Sequence, residues 1–219
     1  MNDQLFTWEE RCMGTFFKFQ ISTDRSSAET ARFLNDACKF LHDADNTFSL
    51  YKPDSELSRI ARNELTVYNA SEAVQNIYAD CEKWKATTDG WFDAVNPDGI
   101  FDPSGIVKTW AAQQACIYLE ANGFNNFTLN AGGDVYLSSD LQIRSLWKVG
   151  LANLNKRSDS NAGSSMLIDL FGTRYRAAAT SGSIERGEHI WSKAGDAVHQ
   201  AVLQVTVVAD DLITADVWA

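Results

Sequence analysis

Between Thr88 and Gln113 a short loop carries three carboxylates, Asp93, Asp98 and Asp102, ahead of one lysine, Lys108, with Pro97 and Pro103 as stiff corners. Carboxylates hold divalent cations or protons, and a lysine in the first turn of a helix faces anions. The stretch opens on a helix end and a turn, Thr88-Asp89-Gly90. It closes with Pro103-Ser104-Gly105 running into an apolar helical pattern headed by Lys108. A glycine-bearing turn at a helix start, with bare backbone N–H groups and a lysine close by, is an anion site. The pattern alone allows a phosphate or nucleotide loop and goes no further.

Other residues carry chemistry only conditionally. Gly132-Gly133-Asp134 and Ser181-Gly182 offer backbone N–H groups, but tight turns between strands use the same residues. Asp216 stands at a strand-to-helix junction, where a carboxylate holds Mg²⁺ or caps the helix; position alone favours the cap. His189, after Glu185-Arg186-Gly187-Glu188, is a loop histidine or a base. Neither GxGxxG with a following acid nor GxxxxGK[ST] occurs, which excludes the Rossmann and P-loop readings.

Composition narrows the partners. The 219 residues carry a formal charge of -10, which argues against nucleic acid or an anionic membrane surface, since both need clustered Lys and Arg. A phosphorylated ligand remains open to an acidic chain through a divalent cation, a helix N-terminus or a few placed bases. No apolar run reaches the ~20 residues of a membrane span. The N-terminal sequence MNDQLFTWEER lacks a cationic flank with an apolar core, so the expected location is cytoplasmic. Cys12, Cys38, Cys81 and Cys116 form no CxxC pair and read as reduced, buried thiols.

The elements that must position these residues follow from periodicity. Arg11 to Ser22 alternates as a strand, and Ser26 with Glu29 makes a capping box for a helix to about Asp45. In that helix Phe33, Ala37, Phe40 and Leu41 are the expected face. Thr47 to Tyr51 reads as a short extended piece, Ser55 to Arg62 as a brief helix, and Ser71 to Thr87 as a third helix. The helix bearing Lys108 runs to Gly123, a left-handed terminator. Phe127 to Asn130, Val135 to Leu137, Leu146 to Ala152 and Ala201 to Ala209 read as strands, with a polar loop over Asn153 to Ser165. Met166 to Phe171 and Tyr175 to Ala179 read as a hairpin, Thr180-Ser181-Gly182 as a turn, and DLITADVWA as the opening of a helix. Strands and helices mix without a βαβ rhythm, repeats or a linker, so the fold class is α+β in one domain over residues 1–219.

The segments MGTFFKFQI, FSLYKPDSELSRI, TDGWFDAVNP, DPSGIVK, LNAGGDVYL, ATSGSIERGEHIW and VTVVADDLITAD occur in the order found in the FAD:protein FMN transferases, the ApbE-like flavin transferases. The resemblance runs from about Met13 to Ala219. It implies two interleaved lobes of mixed, largely antiparallel sheet with flanking helices, and FAD in the cleft between them. It implies Mg²⁺ at the pyrophosphate and transfer of FMN onto a Thr or Ser hydroxyl of an acceptor flavoprotein, with release of AMP. Some members instead hydrolyse FAD to FMN and AMP, and a non-catalytic FAD-binding protein is the third reading. By the same resemblance Asp216 and the carbonyl of Val107 are metal ligands, and Lys108 and His189 join Asp216 as catalytic residues, His189 as base. Met13, Tyr51, Asp93, Lys108, Asn130, Gly132, Gly133, Asp134, Thr180, Ser181 and Gly182 line the flavin-nucleotide site.

The chain departs from the family pattern at a few points. Thr109 stands where glycine usually follows the lysine, and a β-branched side chain there is expected to crowd the phosphates. Gln113 replaces an acid, and HIWSKAG lacks the usual aspartate and proline. The threonine that follows the metal aspartate by four would fall at residue 220, so the chain reads as short at its C-terminal end relative to the family.

Overall fold

The computed structural model describes residues 3–138, 147–151, 166–182 and 204–219. The fold starts from a hairpin, strands β1 (Gln4–Cys12) and β2 (Thr15–Thr23), paired antiparallel from Gln4↔Thr23 to Cys12↔Thr15. Its turn needs two left-handed residues, supplied by Met13 (φ 49°) and Gly14 (φ 71°), the mirror-image turn that matches strand twist. A single strand over Arg11 to Ser22 therefore does not form: the chain reverses within it, and β1 is a strand that the polar residues Thr7, Glu9 and Glu10 conceal.

Helix α1 (Ser27–Phe48) begins as the capping box requires, with Ser26 Oγ accepting from Glu29 N, and extends through Phe48 rather than becoming extended at Thr47. Its buried stripe includes Leu34, Ala37, Cys38 and Leu41, while Phe40 is 38% exposed. Helices α2 (Glu56–Ala61) and α3 (Glu72–Thr87) lie where the pattern places them, with Ser55 and Ser71 as N-caps. Helix α4 (Ser104–Ala121) is apolar nearly all round, and such a helix is buried on more than one side. Gly123, at φ 80°, follows its C-cap residue Asn122.

Strands β3 (Phe127–Ala131), β4 (Asp134–Leu137), β7 (Ala177–Gly182) and β8 (Gln204–Ala209) complete a six-stranded sheet of order β1-β2-β3-β4-β7-β8. Every neighbouring pair is antiparallel. The expected hairpin between Met166 and Ala179 is not the pairing adopted. Instead β6 (Met166–Ile168) pairs with β5 (Val149–Leu151) in a separate two-stranded sheet. Thr180-Ser181-Gly182 is the end of β7, paired with Thr206, Val205 and Gln204, and not a turn. The small residues of ATSG resemble turn chemistry, but the ladder to β8 overrides that local preference.

The core forms where Phe17, Phe19 and Ile21, alternate residues of β2, meet α1 and α4, all at 1% exposure or less. Burying each such side chain contributes about 1.5–3 kcal/mol. Along β4 and β7 successive residues face opposite ways. Tyr136, Ala177 and Ala179 enter this core, whereas Leu137 and Ala178 join Val149 and Leu170 in a smaller cluster. The last element, α5 (Leu212–Trp218), packs on α4, β7 and β8. The architecture is the expected α+β with antiparallel sheet and flanking helices. Among the described residues no helix is long and apolar enough to cross a membrane.

Candidate functional site

Lys108, in the second turn of α4, is the hub. Its ammonium pairs with Asp134 Oδ2 and lies 3.9 Å from Asp216 Oδ2, so α4, β4 and α5 converge on one cation. Asp134 is buried, with its side chain 2% exposed, against 15% for Lys108 and 12% for Asp216. Asp134 is held from behind: the Thr180 amide of β7 donates to its Oδ1 at 3.0 Å. The Thr180 hydroxyl in turn lies 2.9 Å from that of Thr206 on β8.

Asp216 does not cap α5. That work falls to Asp211, whose Oδ1 accepts from Thr214 N at 2.9 Å. One turn further on, Asp216 faces α4, where Thr109 donates to its Oδ2 at 2.9 Å. Thr109, fully buried, thus turns toward the aspartate and is bonded to it. Gln113 has a second anchoring contact, its Oε1 accepting from the first amide of α5, Leu212 N, at 2.9 Å. In the sequence both positions are departures from the family pattern, and no spacing reveals that they reach 107 and 99 residues along the chain.

The helix start is not bare. Asp102 Oδ1 accepts from Ser104 N at 3.0 Å, and the Pro103 carbonyl takes the amides of Ile106 and Val107. A carboxylate thus already occupies the positive end of α4. The β3–β4 turn is likewise self-satisfied, with Gly132 N donating to Phe16 O at 3.1 Å and Gly133 N to Asn130 Oδ1 at 2.8 Å. Of the backbone N–H groups at these two turns, those of Ser104, Ile106, Val107, Gly132 and Gly133 have partners within the protein.

Beside the hub lies a cavity of about 490 Å³. Met13 and Gly14 of the β1–β2 turn, Ala44, Asp45 and Phe48 of α1, Ser49 to Lys52 after it, and Asp102, Ser104, Val107 and Lys108 line it. It therefore brings together Met13, Tyr51, Val107 and Lys108. Lys52 on its wall pairs with Asp45 and donates to Asn46 Oδ1 at 2.8 Å. Tyr51 stands at the rim, 98% exposed. Asp93 pairs with Lys85 at 2.8 Å and accepts from Val95 N at 3.0 Å, and is not among the lining residues. Ser181 and Gly182 are half-buried on β7. His189 lies outside the described residues.

A second constellation has the order of a reactive one in a setting that disfavours the thiolate. Cys12 Sγ lies 3.6 Å from His42 Nδ1, and His42 Nε2 lies 3.0 Å from Glu10 Oε1, an order of thiol, imidazole and carboxylate. The thiol, however, is also 3.4 Å from Leu41 O, and burial pushes its pKa up to about 11. A nucleophilic thiol needs the opposite shift. Burial likewise raises Cys38 and Cys81 to about 12, and Cys116 well above the ordinary range.

Comparison with known proteins starts from the order of these elements. The ApbE family profile matches residues 13–97 and 94–219, segments that contain the hub, the cavity and both glycine turns. The chain belongs to the ApbE family. Among solved structures it is similar to the flavin transferase ApbE from Vibrio cholerae, with a TM-score of 0.74, 18% identity, and 99% of this chain and 85% of that one covered. The ApbE protein of Thermotoga maritima matches with a TM-score of 0.74 and 19% identity over 98% of this chain and 85% of that one. The flavinyl transferase ApbE of Pseudomonas stutzeri, in its apo form, follows at 0.70 and 17%, over 99% and 82%. No curated protein matches by sequence. At such identities the structures establish a shared fold, and the ApbE architecture is the one this chain adopts.

Proposed function

We propose that this ApbE-family chain is a Mg²⁺-dependent FAD:protein FMN transferase, with FAD between the cavity and the Lys108 hub. The observation that carries the reading is the convergence of Asp134 and Asp216 on a single lysine beside a cavity in the size range of small-molecule and cofactor sites. Lys108 faces the carboxylates of Asp134 and Asp216, groups of the kind that hold divalent cations. Among the described residues no three His, Cys, Asp or Glu side chains group as a metal cage. The carboxylate of Asp216 is a donor that suits Mg²⁺, which binds through one or two carboxylates and completes its shell with water and substrate phosphates. In this reading Asp216 and the Val107 carbonyl hold the ion, and bound Mg²⁺ supplies charge neutralisation at the pyrophosphate.

The chain's own groups account for the rest. Lys108 faces the pyrophosphate and stabilises charge on the departing phosphate. Asp134, fixed by the Thr180 amide, holds the ammonium in place. Met13 and Tyr51 flank the ligand, Tyr51 by stacking on a ring. Asp93, Asn130, Gly132, Gly133, Ser181 and Gly182 complete the surrounding segments. The acceptor Thr or Ser oxygen attacks the phosphorus of the FMN half, the pyrophosphate P–O bond breaks, AMP leaves, and the hydroxyl proton passes to His189. A positioned base is worth about 10²–10⁴-fold for such a weak nucleophile. With water in place of the hydroxyl the same steps give FMN and AMP. Incubation with FAD, Mg²⁺ and a Thr-bearing acceptor peptide tests the proposal. AMP with a peptide heavier by one FMN is the expected result, AMP with unmodified peptide supports hydrolysis, and FAD retained without AMP overturns both enzymatic readings.

A further inference from the structure

We infer that Thr109 is a positioning residue that presents Asp216 to the divalent cation, an inference that rests on the proposed metal role of Asp216. Helix α5 has 7 residues, too short to hold its shape without tertiary anchorage. Its anchorage to α4 includes two side-chain hydrogen bonds from one face, Thr109 Oγ1 to Asp216 Oδ2 and Gln113 Oε1 from Leu212 N, each 2.9 Å. Thr109 and Gln113 are four residues apart and so lie one above the other on that face.

The Thr109 hydroxyl lies 3.1 Å from Ile106 O and 2.9 Å from the carboxylate, and the charged oxygen is the stronger acceptor for its single proton. A threonine within a helix is confined largely to two χ1 choices, so α4 narrows the directions the donor can take. The donor aims at Oδ2, the oxygen that Lys108 also faces at 3.9 Å. The carboxylate is thereby set in rotation before any cation arrives. Partners of this kind, one bond removed from the metal, typically hold 10–100-fold of its affinity.

The test titrates Mn²⁺ alone into the full chain and counts the free ion by electron paramagnetic resonance, with Asp216→Ala as the reference for Asp216-dependent binding. Thr109→Val keeps the shape and removes the donor; Thr109→Ser keeps the donor. The expected result is Mn²⁺ affinity lowered about 10–100-fold in Thr109→Val and within about twofold of the parent in Thr109→Ser. Thermal unfolding recorded alongside separates a packing defect from a positioning one. Parent-like Mn²⁺ affinity in a folded Thr109→Val overturns the inference and leaves the metal reading standing. Equal losses in Thr109→Val and Thr109→Ser, tracking their unfolding temperatures, overturn it as well. Parent binding that Asp216→Ala does not alter overturns the metal reading and the inference together.

Discussion

Helix α4 carries an ion-pairing residue at each end, a cation at Lys108 and an anion at Glu120, and the two ends differ in what surrounds them. Toward its C-terminus Glu120 accepts from Tyr136 Oη at 3.1 Å and faces Arg176 Nη1 at 3.4 Å. Arg176 also lies over the Tyr136 ring at 5.0 Å and donates to Asp210 O at 3.2 Å. There one guanidinium meets one carboxylate, and the surrounding donors and acceptors ally sheet to helix. At the N-terminal end one ammonium meets two carboxylates, next to a cavity. The first cluster closes a core; among the described residues the second sets two carboxylates and one ammonium at the edge of a space. Location of charge along one helix thus sets a brace apart from the candidate site.

The largest effect that tests this contrast is on Lys108. Lys108→Met removes the ammonium that pairs with the buried Asp134 carboxylate, and loss of one partner of such a pair costs about 3–5 kcal/mol. Urea unfolding measures it; a loss below about 1 kcal/mol would place the hub in a wetter, less demanding setting than its burial indicates. Glu120→Gln is the counterpart at the other end. It keeps an acceptor for Tyr136 and gives up the charge toward Arg176, so a loss of about 1–2 kcal/mol is expected, with FAD affinity unchanged. If FAD affinity falls instead, the brace is part of the site.

The thiols supply a pH test of burial. Cys12, Cys38 and Cys81 have folded pKa values raised to about 11, 12 and 12 by desolvation, above an unfolded value near 9. Between those values the unfolded chain loses thiol protons that the native one keeps. Stability from this source is complete below about pH 9 and declines as pH rises through 11. Unfolding free energies across pH 8 to 11 should fall with rising pH, and less steeply in a Cys81→Ala variant; a flat profile would contradict the burial. The smallest effect is at the cavity rim. Tyr51→Ala should leave the unfolding midpoint unaltered, since the side chain is 98% exposed, and weaken FAD binding about 2- to 10-fold if the ring stacks on the ligand. Unchanged FAD affinity in titration would remove Tyr51 from the site.

Much of this architecture is legible in the chain before folding. The capping box at Ser26 and Glu29, the periodic apolar stripe of α3 and the terminator Gly123 locate helices because their causes are local. What fails to show locally is pairing. The turn at Met13-Gly14 hides in a strand-like run because a methionine, not a glycine or asparagine, takes the first left-handed position. The end of β7 reads as a turn because Thr180, Ser181 and Gly182 are small, and only the partner β8 shows otherwise. The site divides in the same way. Lys108 and Asp134 are visible as charges in distinctive settings. The assignment of Asp216 as an interior helix residue requires that Asp211 take the cap, a role that sequence position gives to Asp216. Thr109 and Gln113 were visible as departures whose partners lie at the far end of the chain, beyond the reach of any periodicity.

The measurement that tests the central claim most directly is AMP release from FAD across a Mg²⁺ titration, for the parent chain and for Asp216→Ala. If the hub of α4, β4 and α5 binds the cation, release by the parent rises with Mg²⁺ and saturates, and the variant stays at the rate without enzyme. Turnover by Asp216→Ala with the same Mg²⁺ dependence as the parent would contradict the account.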